Sequence, residues 1–533
     1  MSPNAAAAAT TVEVFARRTV QRAHQALVAV LDSPVMLGPL DQLGPPFVPT
    51  TVVYAYKQSA SSSIADENHS ELIAVDRLAR AMELLLDYYP HLTGRLRFNP
   101  SDGTPEIAHL DAGIELLEAS CRARLDESED AGTGRIMMPA LPNSGNALLP
   151  PFVPTLEAVC RNPIFSIQHT RFACGSVTLG FSIHHIVCDA EGFFQLIRDL
   201  AELYRGLRAA EAKAGLEPEA AVAALAHPPH IRSYLSELSD MTQEERQKMA
   251  NFQPGLYTLA PSHGGKTAGT EAVTAHAASS ASSQPPVVGR VLRFSSFELE
   301  VLKNSATDPD GRGWVSTFDA LSAHIFQRVY QARLRLRRSQ GLPSSDDTSD
   351  IPRGFLTSVN LRNSNRLDLP PRYFPNAVVT TFTTLPHDVI AKGPLWKVAK
   401  IIHDLTRSVV PQDVDQDLRW VAAQPDKRRI KPAIVNGLGS FIVTQWCKFG
   451  MYAGADFDVD AHGSPIHPAL VSPPFTQISL LDGLAFFLAT EEQCSQQAAL
   501  TGTDMSARHS TSAIDVNLTI SEPVWQFFDP SVA

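Results

Sequence analysis

On either side of residues 207–290 the chain alternates short apolar runs with amphipathic stripes, and between them it does neither. The stretches AAEAKAGLEPEAAVAALAHPP and SHGGKTAGTEAVTAHAASSASSQPP are rich in Ala, Ser, Gly and Pro without apolar period, as in an exposed connection. Upstream, Leu78, Met82, Leu85 and Tyr89 recur with the period of a helix, and VTLGFSIH has the length and composition of a strand. Phe193, Leu196, Ile197, Leu200 and Tyr204 form a second helical stripe. Downstream, VVGRVLRFS, FLTSVNLR, NAVVTTFTTL, SFIVTQW, FTQISLLDGLAFFLAT and AIDVNLTI read as strands, with helices over 316–338 and 395–408. Such interleaving predicts two α/β domains, residues 1–206 and 291–533, joined by the crossover 207–290 and mobile near 262–286. The first thirty residues read as a loose tail, and Arg333, Arg335, Arg337 and Arg338 as a solvated helix end.

Composition narrows the function classes. A chain of 533 residues with 44% hydrophobic side chains can bury large cores. A net charge of −11 speaks against a nucleic-acid partner, which would meet a basic face. Six cysteines without a C-x-x-C pair disfavour a metal cluster or a disulfide framework and suit a reducing compartment. The N-terminus lacks the apolar core of a secretory signal, and no run approaches a membrane span, so a cytoplasmic monomer is expected. GGKT lacks the earlier glycine of a phosphate loop, since Ala260 stands in its place.

The chemistry concentrates in SIHHIVCDAEG, residues 182–192. Successive side chains of a strand point to opposite faces, so only one of His184 and His185 can address a cleft. This weakens a metal site built on the pair, and no G-x-S-x-G elbow supplies a nucleophile. Two readings remain from these residues. His185 is a core histidine with Asp189 capping the next helix, or His185 is a general base held neutral by apolar surroundings.

HHxxxD followed by glycine resembles the signature of the BAHD acyl-CoA-dependent acyltransferases, whose relatives include trichothecene-acetyltransferase-like and hydroxycinnamoyltransferase-like enzymes. LGPLDQLGPP, ELLLDYYPHLTGRL, STFDALSAHIFQR, VNLRNSNRLDLPP and FIVTQW resemble further family segments, in family order. The resemblance implies two chloramphenicol-acetyltransferase-like domains, with mixed sheets flanked by helices and a channel at their interface. It also implies acyl-CoA as co-substrate, a small-molecule alcohol or amine as acceptor, and no metal. It gives His185 the role of base, pairs Asp189 with Arg362, sets Thr444 near the tetrahedral intermediate, and puts Trp446 against the acceptor. Ser316, Thr317 and Asp456 become candidate coenzyme contacts. A condensation-type domain fed by a carrier protein would use the same histidine, and a non-catalytic relative would keep the fold alone.

Two departures stand out. Ala190 replaces a usual glycine, although Gly192 remains. The family's DFGWG appears as DFDVD, Asp456 to Asp460, so Asp458 and Asp460 are expected to turn differently or sit exposed, repelling coenzyme phosphates.

Overall fold

The structure, a computed structural model, describes residues 11–24, 33–58, 71–212, 225–236, 241–260, 285–342, 351–362, 366–433, 440–494 and 512–532. The stretch expected to be mobile lies almost wholly outside them. Two six-stranded mixed sheets organise the chain. In the first, Val12–Val20, Ile114–Cys121, Phe165–Phe172, Val177–His184 and Pro49–Tyr56 lie side by side, and Leu470–Ser472 adds the far edge. In the second the order is Val287–Phe294, Ile514–Ser521, Leu484–Ala489, Phe441–Gln445, Gly354–Asn360 and Val378–Thr384.

Several expectations change here. Part of the supposed tail, Val12–Val20, is an edge strand antiparallel to Ile114–Cys121. The helix Ala190–Ala212 runs past 206, and the strand Val287–Phe294 begins before 291. Only Leu484–Ala489 of the long run 475–490 is strand. Arg333 is not solvated: it is 8% exposed and pairs with Asp482 at 3.0 Å.

The period-two pattern of Pro49–Tyr56 shows how the first sheet is covered on both faces. Val52, Tyr54 and Tyr56 join the core beneath the helices Val75–Tyr88 and Ala190–Ala212, while Val53 and Ala55 face the turns that carry Leu125, Met138 and Leu148. Phe441, Val443, Ala485 and Phe487 likewise turn toward the helices Thr317–Ser339 and Leu395–Arg407. The first core does not stop at the linker. It takes in Phe374, Trp446, Tyr452, Phe457 and Val471 from the second half, so the two halves share apolar packing.

Gly192 marks a close backbone approach between them. A Cβ there would sit 2.1 Å from the Phe374 carbonyl oxygen, a backbone atom that cannot swing aside. Gly192→Ala is therefore expected to destabilise the protein by about 1–3 kcal/mol, as overpacking does, read as a lower urea midpoint. An unchanged midpoint would mean that the joint is soft.

Candidate active site

The turn after His184 begins where a ladder runs out. His184 is the last residue of its strand and lies opposite Pro49, which has no N–H to continue the pairing. His184 is 3% exposed with its ring edge-on to Phe152 at 5.6 Å, and burial pushes its pKa down to about 4. It is a core residue. His185 starts the turn and is half-buried. Its N–H donates to the Val48 carbonyl (3.3 Å), and its carbonyl accepts from Asn376 Nδ2 (3.1 Å). Nδ1 is buried without a partner among the described residues, which leaves Nε2 as the ring nitrogen available to a substrate. Burial lowers the imidazole pKa, against the opposing pull of the Asp189 carboxylate.

Asp189 serves both readings of the sequence at once. Its Oδ1 accepts from the N–H groups of Glu191 (3.1 Å) and Gly192 (3.2 Å), capping the helix Ala190–Ala212. The same carboxylate takes both Arg362 terminal nitrogens, at 2.8 and 2.9 Å, and the Ala377 N–H at 2.8 Å. Arg362 also donates to the carbonyls of Tyr373 and Pro375. Both partners are buried, with side chains 12% and 5% exposed.

Thr444 lies in the strand Phe441–Gln445 opposite Phe486 and is half-buried, on the face turned away from the second core. Trp446 is 7% exposed and meets Phe194 and Phe486 edge to face at 5.5 and 5.0 Å. Phe194 belongs to the helix that follows the His185 turn, so Trp446 ties the end of a second-sheet strand to it. Two residues not singled out in the sequence complete the turn's surroundings: Asn376 and Asp41, 1% and 0% exposed. Nothing local to FPNAVV names the partners of Asn376.

A model of the Transferase family, that of the BAHD acyltransferases, matches residues 12–483. The chain belongs to this family. Shikimate O-hydroxycinnamoyltransferase of Nicotiana tabacum is 23% identical over 413 residues, 76% of this chain and 80% of the relative. Hydroxycinnamoyl-CoA:piscidic acid hydroxycinnamoyltransferase of Actaea racemosa is 26% identical over 355 residues, 66% of each chain. Among solved structures, vinorine synthase aligns with a TM-score of 0.60 at 13% identity, covering 98% of both chains. TRI101 of F. graminearum complexed with ethyl coenzyme A gives 0.57 at 17%, covering 92% of this chain and 96% of that one. These structures share the BAHD fold with this chain.

The DFDVD segment of this BAHD chain departs from expectation. Asp458 is 3% exposed: it pairs with Arg208 at 3.1 Å and accepts from the Ile73 N–H at 3.0 Å and the Tyr204 hydroxyl at 3.4 Å. Asp460 closes a turn by accepting from the N–H groups of His462 (2.8 Å) and Ser464 (2.9 Å). Neither is a loose carboxylate poised to repel phosphates. Asp456 faces Arg205, which reaches its carboxylate at 3.4 Å and also its carbonyl. Ser316 caps the helix Thr317–Ser339, its hydroxyl exchanging bonds with Asp319 at 3.2 and 2.8 Å. Thr317 follows, half-buried, and the preceding Val315 lines a cavity of about 200 Å³ with Trp314, Trp396, Lys400 and His403. Of the candidate coenzyme contacts, Ser316 and Thr317 thus follow Val315 of the cavity wall without lining the cavity themselves, whereas Asp456 fastens the far part of the helix Ala190–Ala212.

Removing either member of the buried Asp189–Arg362 pair strands the other charge. Asp189→Ala is expected to cost about 3–5 kcal/mol. Asp189→Ala combined with Arg362→Met should cost less than the two single losses added together, because no lone charge remains. Chemical denaturation of the three variants checks this; additive losses would mean the two groups act separately.

Proposed function

We propose that this chain moves an acyl group from acyl-CoA to the hydroxyl or amine of a small secondary-metabolite acceptor, with His185 as general base. The observation that carries this reading is the half-buried imidazole, lowered in pKa, on a turn whose backbone is held from both sides. Family membership supports the reaction class. The names of the relatives, among them hydroxycinnamoyltransferases and an O-feruloyl transferase, support an acyl donor activated as a thioester and an alcohol or amine acceptor.

A thioester needs no further activation by a covalent enzyme intermediate. His185 Nε2 takes the proton of the acceptor as its oxygen or nitrogen attacks the carbonyl carbon. The C=O pair becomes an oxyanion, toward which the Thr444 hydroxyl is the donor; such a contact is worth roughly 10²–10³ in turnover. The intermediate collapses by breaking the carbon–sulfur bond, and the departing thiolate recovers the proton from His185. Trp446 acts as a wall of the acceptor side, and Asp189 and Arg362 aim the base without touching substrate. Ser316 and Thr317, beside the Trp314 and Trp396 cavity, are our choice for the nucleotide end of the coenzyme. The halves are read as an N-terminal domain that ends with the helix Ala190–Ala212 and a C-terminal domain that starts with the strand Val287–Phe294.

His185→Ala should lower turnover by about 10²–10⁴, the usual worth of a positioned base, while His184→Ala loses stability but keeps turnover of the same order. Since the base must be neutral and its pKa is lowered by burial, protonation of the ring should leave activity intact at pH 7 and reduce it in acid, below the usual 6.5. Release of free coenzyme thiol from short, aromatic and long acyl-CoAs, with pooled alcohols and amines, measures all of this. An active His185→Ala protein would remove the assignment.

A further inference from the structure

We infer that Asp41 is a positioning residue for the His185 base, acting through the Asn376 amide. This rests on the reading of His185 given above and adds a residue outside the HHxxxD segment. Asp41 Oδ1 accepts from the Asn376 backbone N–H (2.9 Å) and from its Nδ2 (3.0 Å), and the same Nδ2 donates its other hydrogen to the His185 carbonyl (3.1 Å). Both hydrogens of one amide are thus committed, one to a carboxylate and one to the peptide that carries the base. A flipped amide would set its oxygen against two acceptors, so an ionised Asp41 fixes which way Asn376 points.

The surrounding segment is built around that contact. Asp41 Oδ2 accepts from the Gly38 N–H at 3.2 Å. Gly44, three residues on, lies against the same turn: a Cβ there would meet Ile186 Cα at 3.0 Å and the His185 oxygen at 3.3 Å. Val48 receives the His185 N–H. The next residue after Asn376 donates its own N–H to Asp189, so two successive N–H groups engage two buried carboxylates. Asp189 fixes the helical end of the turn, and Asp41 fixes the strand end.

Asp41 is also a buried ionisable group that the transfer itself does not use. Burial raises its carboxyl to about 6, against the hydrogen bonds of Ser233, Asn376 and Gly38. The other titratable groups acting around this spot are Tyr373 and Cys188, both pushed further from ionisation by burial, and the Asp189–Arg362 pair. A proton on Oδ1 would face the Asn376 donors and one on Oδ2 the Gly38 N–H. Protonation therefore withdraws the negative charge to which the Asn376 amide donates and weakens that link. Because the folded pKa lies above the unfolded one, this group's stabilising contribution is present in acid and lost as pH rises through about 6. Its ionised form at neutral pH costs stability while holding the amide in place.

Asp41→Asn should accordingly keep the thermal midpoint at pH 7 near that of the wild type and lower kcat by about 10- to 100-fold, with the donor KM little changed. Asn376→Ala should give a similar loss, and the double variant no more than either alone. In the wild type, kcat should fall in acid with a limiting slope of about two, from His185 and Asp41 together, and in Asp41→Asn with a slope of about one. The His185 ring resonance, assigned by its disappearance in His185→Ala, should show an inflection near pH 6 that Asp41→Asn abolishes. That readout needs no turnover, so a wild-type protein inactive toward acyl-CoA would overturn the proposed function while the resonance still decides this inference. Multiplying losses in the double variant, identical pH profiles and resonances, or a kcat loss matched by loss of folded protein would overturn it.

Discussion

The Asp189 carboxylate is the joint on which the two halves close. It accepts from its own helix, from the Arg362 guanidinium and from the Ala377 N–H, so one buried anion is shared by three separate pieces of chain. The helix it caps continues the same work along its length. On one face Glu191, Gln195 and Asp199, spaced four apart, meet Asn360, the Arg372 carbonyl and the Arg372 guanidinium. On another, Arg198, Arg205 and Arg208 reach the carbonyls of Phe449 and Gly450, the carbonyl of Gly454, and Asp458. A helix from the first half is thereby clasped by two stretches of the second, and the turn at its N-terminus inherits their rigidity.

This arrangement explains why neighbouring histidines differ so much. Both belong to an apolar strand end, but Pro49 ends the ladder at His184 and lets the chain turn. His184 stays in the sheet's apolar side and is too hard to protonate to act as a base near neutral pH. His185 leaves it. The Asp189 charge would by itself raise the His185 pKa, yet most of its field is spent on Arg362, so burial prevails and the ring stays neutral. Asp189 is ion-paired with Arg362 and holds the turn that carries His185.

Elements with a strong period of their own could be read from the sequence. VTLGFSIH is the strand Val177–His184, the stripe from Leu78 to Tyr89 is the helix Val75–Tyr88, and the alternation in both halves gave the mixed α/β class. What failed depended on distant partners. Val12–Val20 carries charged and apolar residues in no clean alternation because it is an edge, paired on one side alone among the described residues. Leu470–Ser472 is three residues between proline- and glycine-bearing turns, and only the register of Pro49–Tyr56 makes it a strand. Within the site, strand geometry implied that only one of His184 and His185 faces a cleft, while the choice of His185, and with it Arg362, Thr444 and Trp446, entered through family resemblance, since no local pattern singles out a threonine or tryptophan in FIVTQW. Asp41 and Asn376 are 335 positions apart, and neither has a local signal for the other.

Asp458 shows the same limit from the opposite direction. A carboxylate in place of a family glycine implies either a different turn or an exposed side chain, because glycine tolerates positive φ and close backbone approach. The structure instead buries it, and the cost is met by Arg208, Tyr204 and the Ile73 N–H. Arg208 lies just past residue 206, in sequence that read as linker, and becomes part of the helix Ala190–Ala212. The glycine-to-aspartate change and the basic residue one helical turn beyond Tyr204 are therefore two ends of one interaction. A glycine-built turn relies on backbone freedom, whereas this chain anchors the corresponding segment by charge, to the very helix that Asp189 caps. The departure lies away from the His185 turn and adds an ion pair to the clasp behind it.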